Sequence, residues 1–359
     1  MGKSMKRIGK LYEKIISIDN LTLADHNART GKGRQYGIVK HDRHREENIQ
    51  LLHEMLVNKT YQTSKYTTFK VYEPKERTVY RLPYFPDRIM HHAILNYLEP
   101  VWTASFVADT YSCIKGRGIH SAAEKLKRAL KDTNNTKYCL KLDVQKFYPS
   151  IDNGILKKII RRKIKDKDLL WLLDEIIDSA QGCPIGNYLS QFFANLYLSG
   201  LDHWLKEVKK VKYYFRYCDD MVILGGNKEE LHALFIEIKE YLATNLKLIV
   251  KKNHQVFPVD VRGIDFIGFV FRSTHVRLRK RIKQNFARAV KKNKEQSIAS
   301  YMGWALFSDS KNLVNKLLPN HEKIFRIQHK ATRNRRNGLY WRKNKDRKDI
   351  EQGNNGTGL

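Results

Sequence analysis

The sequence is short of acid. Asp and Glu total 37 against 68 Lys and Arg, a formal charge of +31 over 359 residues, which exceeds what solubility requires and makes polyanion binding the default inference. From Arg277 to Lys294 no acid appears among Arg277, Arg279, Lys280, Arg281, Lys283, Arg288, Lys291, Lys292 and Lys294. That stretch reads as a basic helix and is the best single candidate for a duplex-binding surface. Cysteine is also scarce. Cys113, Cys139, Cys183 and Cys218 are scattered without Cys-x-x-Cys spacing, which gives no zinc signal and fits the reduced thiols of a cytosolic protein. No run of 18 or more apolar residues exists, so no membrane-spanning helix is expected. The N-terminus is basic but lacks the apolar stretch of a signal peptide. With 42% hydrophobic residues the chain can bury a large core, divided into two or three lobes.

The acids that are present are placed tellingly. Tyr217-Cys218-Asp219-Asp220-Met221-Val222-Ile223-Leu224 sets two carboxylates in an apolar strand, where an unpaired buried charge costs several kcal/mol. Asp tolerates turns and the flanking residues favour strand, so the pair reads as a hairpin tip. Such a tip can face a divalent cation or hold solvated acids. A second acidic strand decides between these. Leu140, Leu142 and Val144 alternate with Lys141, Asp143 and Gln145, the period of a half-buried strand with Asp143 near its end. Asp143, Asp219 and Asp220 would form an oxygen-only cluster suited to Mg²⁺ or Mn²⁺ rather than zinc. Two such ions, roughly 3.5–4 Å apart, support in-line displacement with a pyrophosphate leaving group. Nucleotidyl transfer is the chemistry suggested.

Other segments are less specific. Residues up to about 60 read as helical, with a loop at Gly31–Arg34 and a polar run at His41–Arg45 expected as a solvated helix start. Lys70–Leu82 reads as a strand-turn-strand whose basic side chains suit a triphosphate or an exposed hairpin. Asp87 is expected to cap the helix that follows. Lys115-Gly116-Arg117-Gly118 is a cationic loop that permits close approach to a phosphate chain. Leu156–Leu173 reads as one helix with Arg161 and Arg162 on a basic face, solvated or against RNA. Gln181–Gln191 reads as a flexible loop beside the acidic strands, and Leu246–Val250 as a strand ending at Lys251-Lys252. Lys251 could act as a general acid toward pyrophosphate or simply be solvated. Gly263–Phe271 reads as an aromatic hairpin, and the tail from about Lys345 as disordered.

In order and content these motifs resemble reverse transcriptases over roughly residues 65–310. Leu142-Asp143-Val144 with Phe147-Tyr148-Pro149-Ser150-Ile151-Asp152 is similar to the first catalytic strand, and Tyr217-Cys218-Asp219-Asp220 to the Tyr-x-Asp-Asp box. The resemblance implies an α+β right-hand polymerase: fingers at 1–136 and 154–180, palm at 137–153 and 181–275, a short helical thumb at 276–345, then a disordered tail at 346–359. It implies Asp143, Asp219 and Asp220 as ligands of two Mg²⁺ ions, with a carbonyl from Val144. Lys75, Arg77 and Arg81 lie in the triphosphate-gripping segment, and Tyr148 at the position that excludes a ribose 2′-hydroxyl. In the fourth motif most relatives have Gln-Gly-x-x-x-Ser-Pro. This chain instead has Ile185-Gly186-Asn187-Tyr188-Leu189-Ser190-Gln191, similar to reverse transcriptases of diversity-generating retroelements. Those bacterial or phage-encoded enzymes act in the cytoplasm, copy a template-repeat RNA with errors opposite adenine, and work with a small basic accessory variability protein, a homo-oligomer. Their partners would include dNTPs, cDNA and the RNA–DNA duplex. Ile185 in place of Gln removes an amide beside the nascent base pair. The alternatives are a group II intron-like or retron enzyme, which would carry Gln at 185 and Pro at 191, and a non-catalytic RNA-binding protein.

Overall fold

The computed structural model describes residues 7–72 and 76–319. Lys75, the residues of the expected thumb beyond Pro319, and the tail at 346–359 lie outside them. The chain divides into two compact units between Arg262 and Gly263, upstream of the junction expected after residue 275.

The first unit opens with helices α1 (Tyr12–Ile16), α2 (Ile18–Arg29), α3 (Tyr36–Asp42) and α4 (Arg45–Val57), then the hairpin β1 (Thr67–Val71) and β2 (Arg77–Arg81). There follow α5 (Ile89–Ala104), β3 (Thr110–Tyr111), α6 (Ile119–Ala129), β4 (Tyr138–Asp143), α7 (Phe147–Ser150), α8 (Asn153–Arg161), α9 (Lys167–Asp178) and α10 (Tyr188–His203). β5 (Tyr213–Tyr217), β6 (Asp220–Gly225), α11 (Lys228–Leu246), β7 (Gln255–Pro258) and α12 (Val259–Arg262) complete it. The central sheet has the order β3-β5-β6-β4-β7, parallel only at β3–β5. Leu140 and Leu142 of β4, Tyr214 of β5, and Met221 and Ile223 of β6 share one buried face, in a single core with Leu196 and Tyr197 of α10 and Ile238 and Leu242 of α11. Side chains alternate across a strand. Lys141, Asp143 and Asp220 therefore point to the other face.

Caps fix where the helices start. Asn227 accepts from the backbone N–H of Glu229 (2.7 Å) and Glu230 (3.1 Å) at the head of α11, where those acids also offset the helix dipole. Asp152 accepts from Ile155 N–H (2.9 Å) at the head of α8. The single helix expected over Leu156–Leu173 is two, because Asp166 caps Leu169 (3.2 Å) and also accepts from Leu11 (2.7 Å) and Tyr12 (3.0 Å). One carboxylate thus ends the helical run and anchors the N-terminal segment.

Three further expectations are corrected. His41 is not a solvated helix start: it is buried, stacked on Phe85 at 5.7 Å, with Nε2 3.5 Å from the buried Asp25 carboxylate. Asp87 does not cap α5. It is fully buried and accepts from Tyr61 Oη (3.0 Å) and Ser64 N–H (3.0 Å). Leu246–Val250 is not a strand, since α11 runs to Leu246, Lys247 turns into the left-handed region (φ 51), and Val250 meets the sheet only through a bridge to Val144. The strand beside β4 is β7.

The second unit holds an antiparallel sheet, β8 (Ile264–Phe266), β9 (Phe269–Phe271) and β10 (Val276–Leu278), followed by α13 (Lys280–Lys291), α14 (Glu295–Leu306) and α15 (Lys311–Leu317). The aromatic hairpin is as expected. Gly268 (φ 89) is required at its turn, because a Cβ there would sit 2.3 Å from the Trp304 ring. The expected basic helix is shorter than the basic run, with Arg277 on β10. α13 buries Phe286 and Ala289 and exposes Lys280 and Arg281, whereas Lys283 is half-buried. Arg279 pairs with Asp265 (Nε–Oδ1 2.6 Å). Among the described residues no helix is long and apolar enough to cross a membrane.

Candidate active site

β5 and β6 pair so that Tyr217 lies opposite Asp220, leaving Cys218-Asp219 as a two-residue turn. Cys218 takes φ 59, a left-handed conformation of the kind that two-residue hairpin turns use. On the other side of β6, Asp143 is directly opposite Asp220. Sequence positions far apart thus converge: directly opposed residues have Cβ atoms about 4.5–5.5 Å apart. Asp219 is pushed up to about 7 by burial first, then by the Asp143 charge and a hydrogen bond with Asp143. Two carboxylates brought this close repel one another when both are ionised, and so favour a neighbouring positive charge.

Lysines supply part of that charge. Lys251 pairs with Asp143 Oδ2, and its backbone N–H donates to the Asp143 carbonyl (2.8 Å). Lys141 Nζ lies 3.4 Å from Asp220 Oδ2. No group of three His, Cys, Asp or Glu among the described residues is gathered at metal-holding distance. The donor set nevertheless fits a hard divalent cation. The oxygens are all carboxylate, and Asp143 Oδ1 is buried without a hydrogen-bond partner. Val144 is buried behind Asp143, bridged to Val250.

Tyr148 abuts the turn. Lys146 (φ 44) starts α7, and Tyr148 Oη lies 3.2 Å from Cys218 Sγ. Burial first, then the neighbouring Cys218, keeps the Tyr148 hydroxyl protonated far above its ordinary range. The Tyr148 carbonyl accepts from Cys183 N–H (2.9 Å), and Gly182 (φ 72) passes so close that a Cβ would sit 2.7 Å from that oxygen.

The loop after Gln181 was expected to be flexible and is instead held at both ends. Asn153 accepts from Gly182 N–H (3.1 Å) and donates to the carbonyls of Ile177 (2.9 Å) and Ala180 (2.9 Å). Farther on, the Ile185 carbonyl accepts from Tyr80 N–H of β2 (2.7 Å), and Asn187 donates to Tyr66 Oη (2.7 Å). Gly186 (φ 120) has the Tyr80 carbonyl 2.2 Å from where its Cβ would be. The basic hairpin β1–β2 is therefore docked on the loop that carries Ile185 and Gly186. Ile185 is half-buried, and Gln191 is exposed in the first turn of α10.

Arg77 and Arg81 are exposed on β2. Arg81 lines a cavity of about 1030 Å³ together with Lys40, Arg43, Lys65 and Arg88, a basic surface that no local motif had marked. Lys115 is exposed, and Arg117 donates to the Val107 carbonyl (2.9 Å). Arg161 is forked onto Asp174, with Nη1–Oδ1 at 3.0 Å, and Arg162 is exposed. The expected residues thus fall into three places. Asp143, Asp219, Asp220, Tyr148 and Lys251 gather at the hairpin, Ile185, Gly186, Arg77 and Arg81 belong to the docked loop and hairpin, and the other basic residues lie outside both. Sequence reasoning missed Arg216 beneath the turn. Its signal was an arginine in an apolar strand, two residues before Cys218.

A reverse transcriptase (RNA-dependent DNA polymerase) family model matches residues 73–271, which spans β4 and the β5–β6 hairpin. The protein YkfC of Escherichia coli is 25% identical over 290 residues, 67% of this chain and 74% of that protein. The group II intron-encoded protein LtrA of Lactococcus lactis is 24% identical over 216 residues, 56% of this chain but only 36% of that protein. A telomerase structure from Candida tropicalis aligns with a TM-score of 0.48 at 10% identity, covering 72% of this chain and 58% of that one. With its carboxylates on the two matched strands, the chain belongs to the reverse transcriptase family and is an RNA-directed DNA polymerase.

Proposed function

We propose that the protein is the error-prone reverse transcriptase of a diversity-generating retroelement, making mutagenised cDNA from a template-repeat RNA. The observation that carries this reading is Ile185-Gly186-Asn187-Tyr188-Leu189-Ser190-Gln191, docked by its backbone on β2. An apolar Ile185 offers no hydrogen bond to a base pair. Mispairs that a polar side chain would resist meet less resistance. In this assignment 1–136 and 154–180 are fingers, 137–153 and 181–275 palm, and 276–345 thumb.

Asp143, Asp219 and Asp220, with the Val144 carbonyl, would hold Mg²⁺ or Mn²⁺, which when bound supplies activation of the primer 3′-hydroxyl and neutralisation of the leaving pyrophosphate. In the reaction the 3′-oxygen forms a bond to the α-phosphorus of a dNTP as the bond to the β-phosphate oxygen breaks. Arg77, Arg81 and Lys75 bind the triphosphate. Tyr148 closes the space a ribose 2′-hydroxyl would need, and Lys251, beside Asp143, would give a proton to the leaving pyrophosphate. The basic surfaces at Lys115–Arg117, Arg162 and Arg279–Lys283 hold RNA and the RNA–DNA duplex. An accessory variability protein and a cytoplasmic location belong to the same reading.

The similarity to LtrA favours a second reading, a group II intron-like enzyme of ordinary fidelity. Sequencing cDNA made by the purified protein on a defined RNA separates them. Substitutions concentrated at template adenines support the retroelement reading. An even, low error rate at all four bases rejects it.

A further inference from the structure

The residue beneath the catalytic turn that no motif explains is Arg216. It lies on β5 with a fully buried side chain, a placement that costs several kcal/mol unless every donor is used. Every arm is engaged. Nε donates to Asp202 Oδ1 (2.7 Å), Nη2 to Asp202 Oδ2 (2.5 Å), and Nη1 both to Asn195 Oδ1 (3.1 Å) and to the Cys218 carbonyl (2.9 Å). Asp202 is further held by Tyr214 Oη (2.6 Å) and Thr110 Oγ1 (2.8 Å). Asn195 donates to the Ser112 carbonyl (3.1 Å), at the root of the Lys115–Arg117 loop.

A buried ion pair is weak evidence for stability, since apolar side chains of similar volume often do as well. An apolar residue could fill this space, but it could not hold the Cys218 carbonyl. That carbonyl belongs to the peptide linking Cys218 to Asp219, so its orientation sets where the Asp219 side chain leaves the turn. We infer that Arg216, clamped by Asp202 and Asn195 of α10, is a positioning residue that fixes the catalytic turn through the Cys218 carbonyl. It tunes cation affinity without touching the cation. The same network ties the turn to the Ser112 loop.

The inference rests on the reading of Asp143, Asp219 and Asp220 as cation-holding groups. Its test is Mn²⁺ binding to the full chain, followed by electron paramagnetic resonance without RNA or nucleotide, with thermal midpoints recorded alongside. Arg216→Lys keeps the charge but loses the fork, and should weaken Mn²⁺ binding about tenfold, as loss of a group orienting a metal ligand does. Tyr214→Phe removes one hydroxyl from Asp202 and nothing from Cys218, so it should lower the thermal midpoint and leave Mn²⁺ affinity unchanged. A folded Arg216→Lys with unaltered affinity overturns the inference. So does a Tyr214→Phe that weakens binding as much. If Arg216→Lys does not fold, Asn195→Ala decides: a smaller loss of affinity supports the inference and no loss overturns it. An unaltered protein that binds no Mn²⁺ overturns the cation reading itself, and is distinguished because no variant is involved.

Discussion

Adding a single methyl group at Gly186 should uncouple the basic hairpin from the loop that carries Ile185. The position has φ 120, and an alanine Cβ would lie 2.2 Å from the Tyr80 carbonyl oxygen, 3.3 Å from its carbon and 3.1 Å from Val79 Cγ1. Backbone, not a flexible side-chain end, receives the clash, so β2 must retreat by on the order of 1 Å to reach ordinary contact. Retreat breaks the 2.7 Å hydrogen bond from Tyr80 N–H to the Ile185 carbonyl, worth about 1 kcal/mol. The disfavoured backbone conformation adds about 1–3 kcal/mol. Gly186→Ala should therefore destabilise the first unit by about 2–4 kcal/mol in chemical denaturation. Arg77 and Arg81 would be displaced with the hairpin, and a shift of this size can cost about 10²-fold in catalytic efficiency, read as kcat/KM for dNTP in primer extension on RNA. Gly31→Ala is the control, since it also has positive φ (72) but open space around the added methyl. It should show backbone strain alone and near-normal kcat/KM. Equal effects of the two variants, or a Gly186→Ala enzyme with unaltered kcat/KM, would refute the docking of β2 on the loop.

Other variants probe the remaining assignments. Ile185→Gln should reduce misincorporation opposite template adenine more than opposite other bases, and an equal change at all four in sequenced cDNA would count against a fidelity role. Tyr148→Ala should admit ribonucleotides, whereas Tyr148→Phe, which loses only the contact with Cys218 Sγ, should keep sugar discrimination; competition between dNTP and rNTP substrates reads both. Asp25 is fully buried and bonded to Tyr84, Arg29 and Arg45, so Asp25→Ala should destabilise by about 3–5 kcal/mol, having left buried partners unpaired. Burial alone would raise the Asp25 carboxyl, but the Tyr84, Arg29 and Arg45 hydrogen bonds outweigh it and the net shift is down. Its contribution is thus complete above the ordinary carboxylate range and is lost as pH falls through the depressed value. Denaturation midpoints of unaltered protein and Asp25→Asn should converge in acid.

The legible parts of the fold were those written in local pattern. Alternation around Leu140–Val144, a hairpin at the Asp pair (its turn one residue earlier than expected, at Cys218-Asp219, with Asp220 already on β6), the Lys70–Leu82 hairpin and the Gly268 turn are each specified by neighbours in sequence. The illegible parts depend on distant partners. Asp166 breaks a helix because it also serves the N–H groups of Leu11 and Tyr12, and His41 is buried because Asp25 and Phe85 receive it. The loop at Gly182–Asn187 looks flexible in composition, yet Asn153, Tyr66 and Tyr80 hold it. Likewise Arg216 has meaning only with Asp202 and Asn195 beside it. At the candidate site the carboxylates were readable because a buried acid is anomalous on its own, whereas Lys141 and Lys251 beside them blend into a chain rich in lysine.

The central claim is that Asp143, Asp219 and Asp220 perform RNA-templated DNA synthesis with a divalent cation. Extension of a DNA primer on an RNA template by the purified protein, with Mg²⁺ titrated from zero, tests it most directly, with the Asp219→Ala, Asp220→Ala double variant alongside. Extension that requires Mg²⁺ and vanishes in the variant, while RNA binding by the variant persists, is the predicted result. Extension that survives loss of both carboxylates, or that needs no divalent cation, would contradict it.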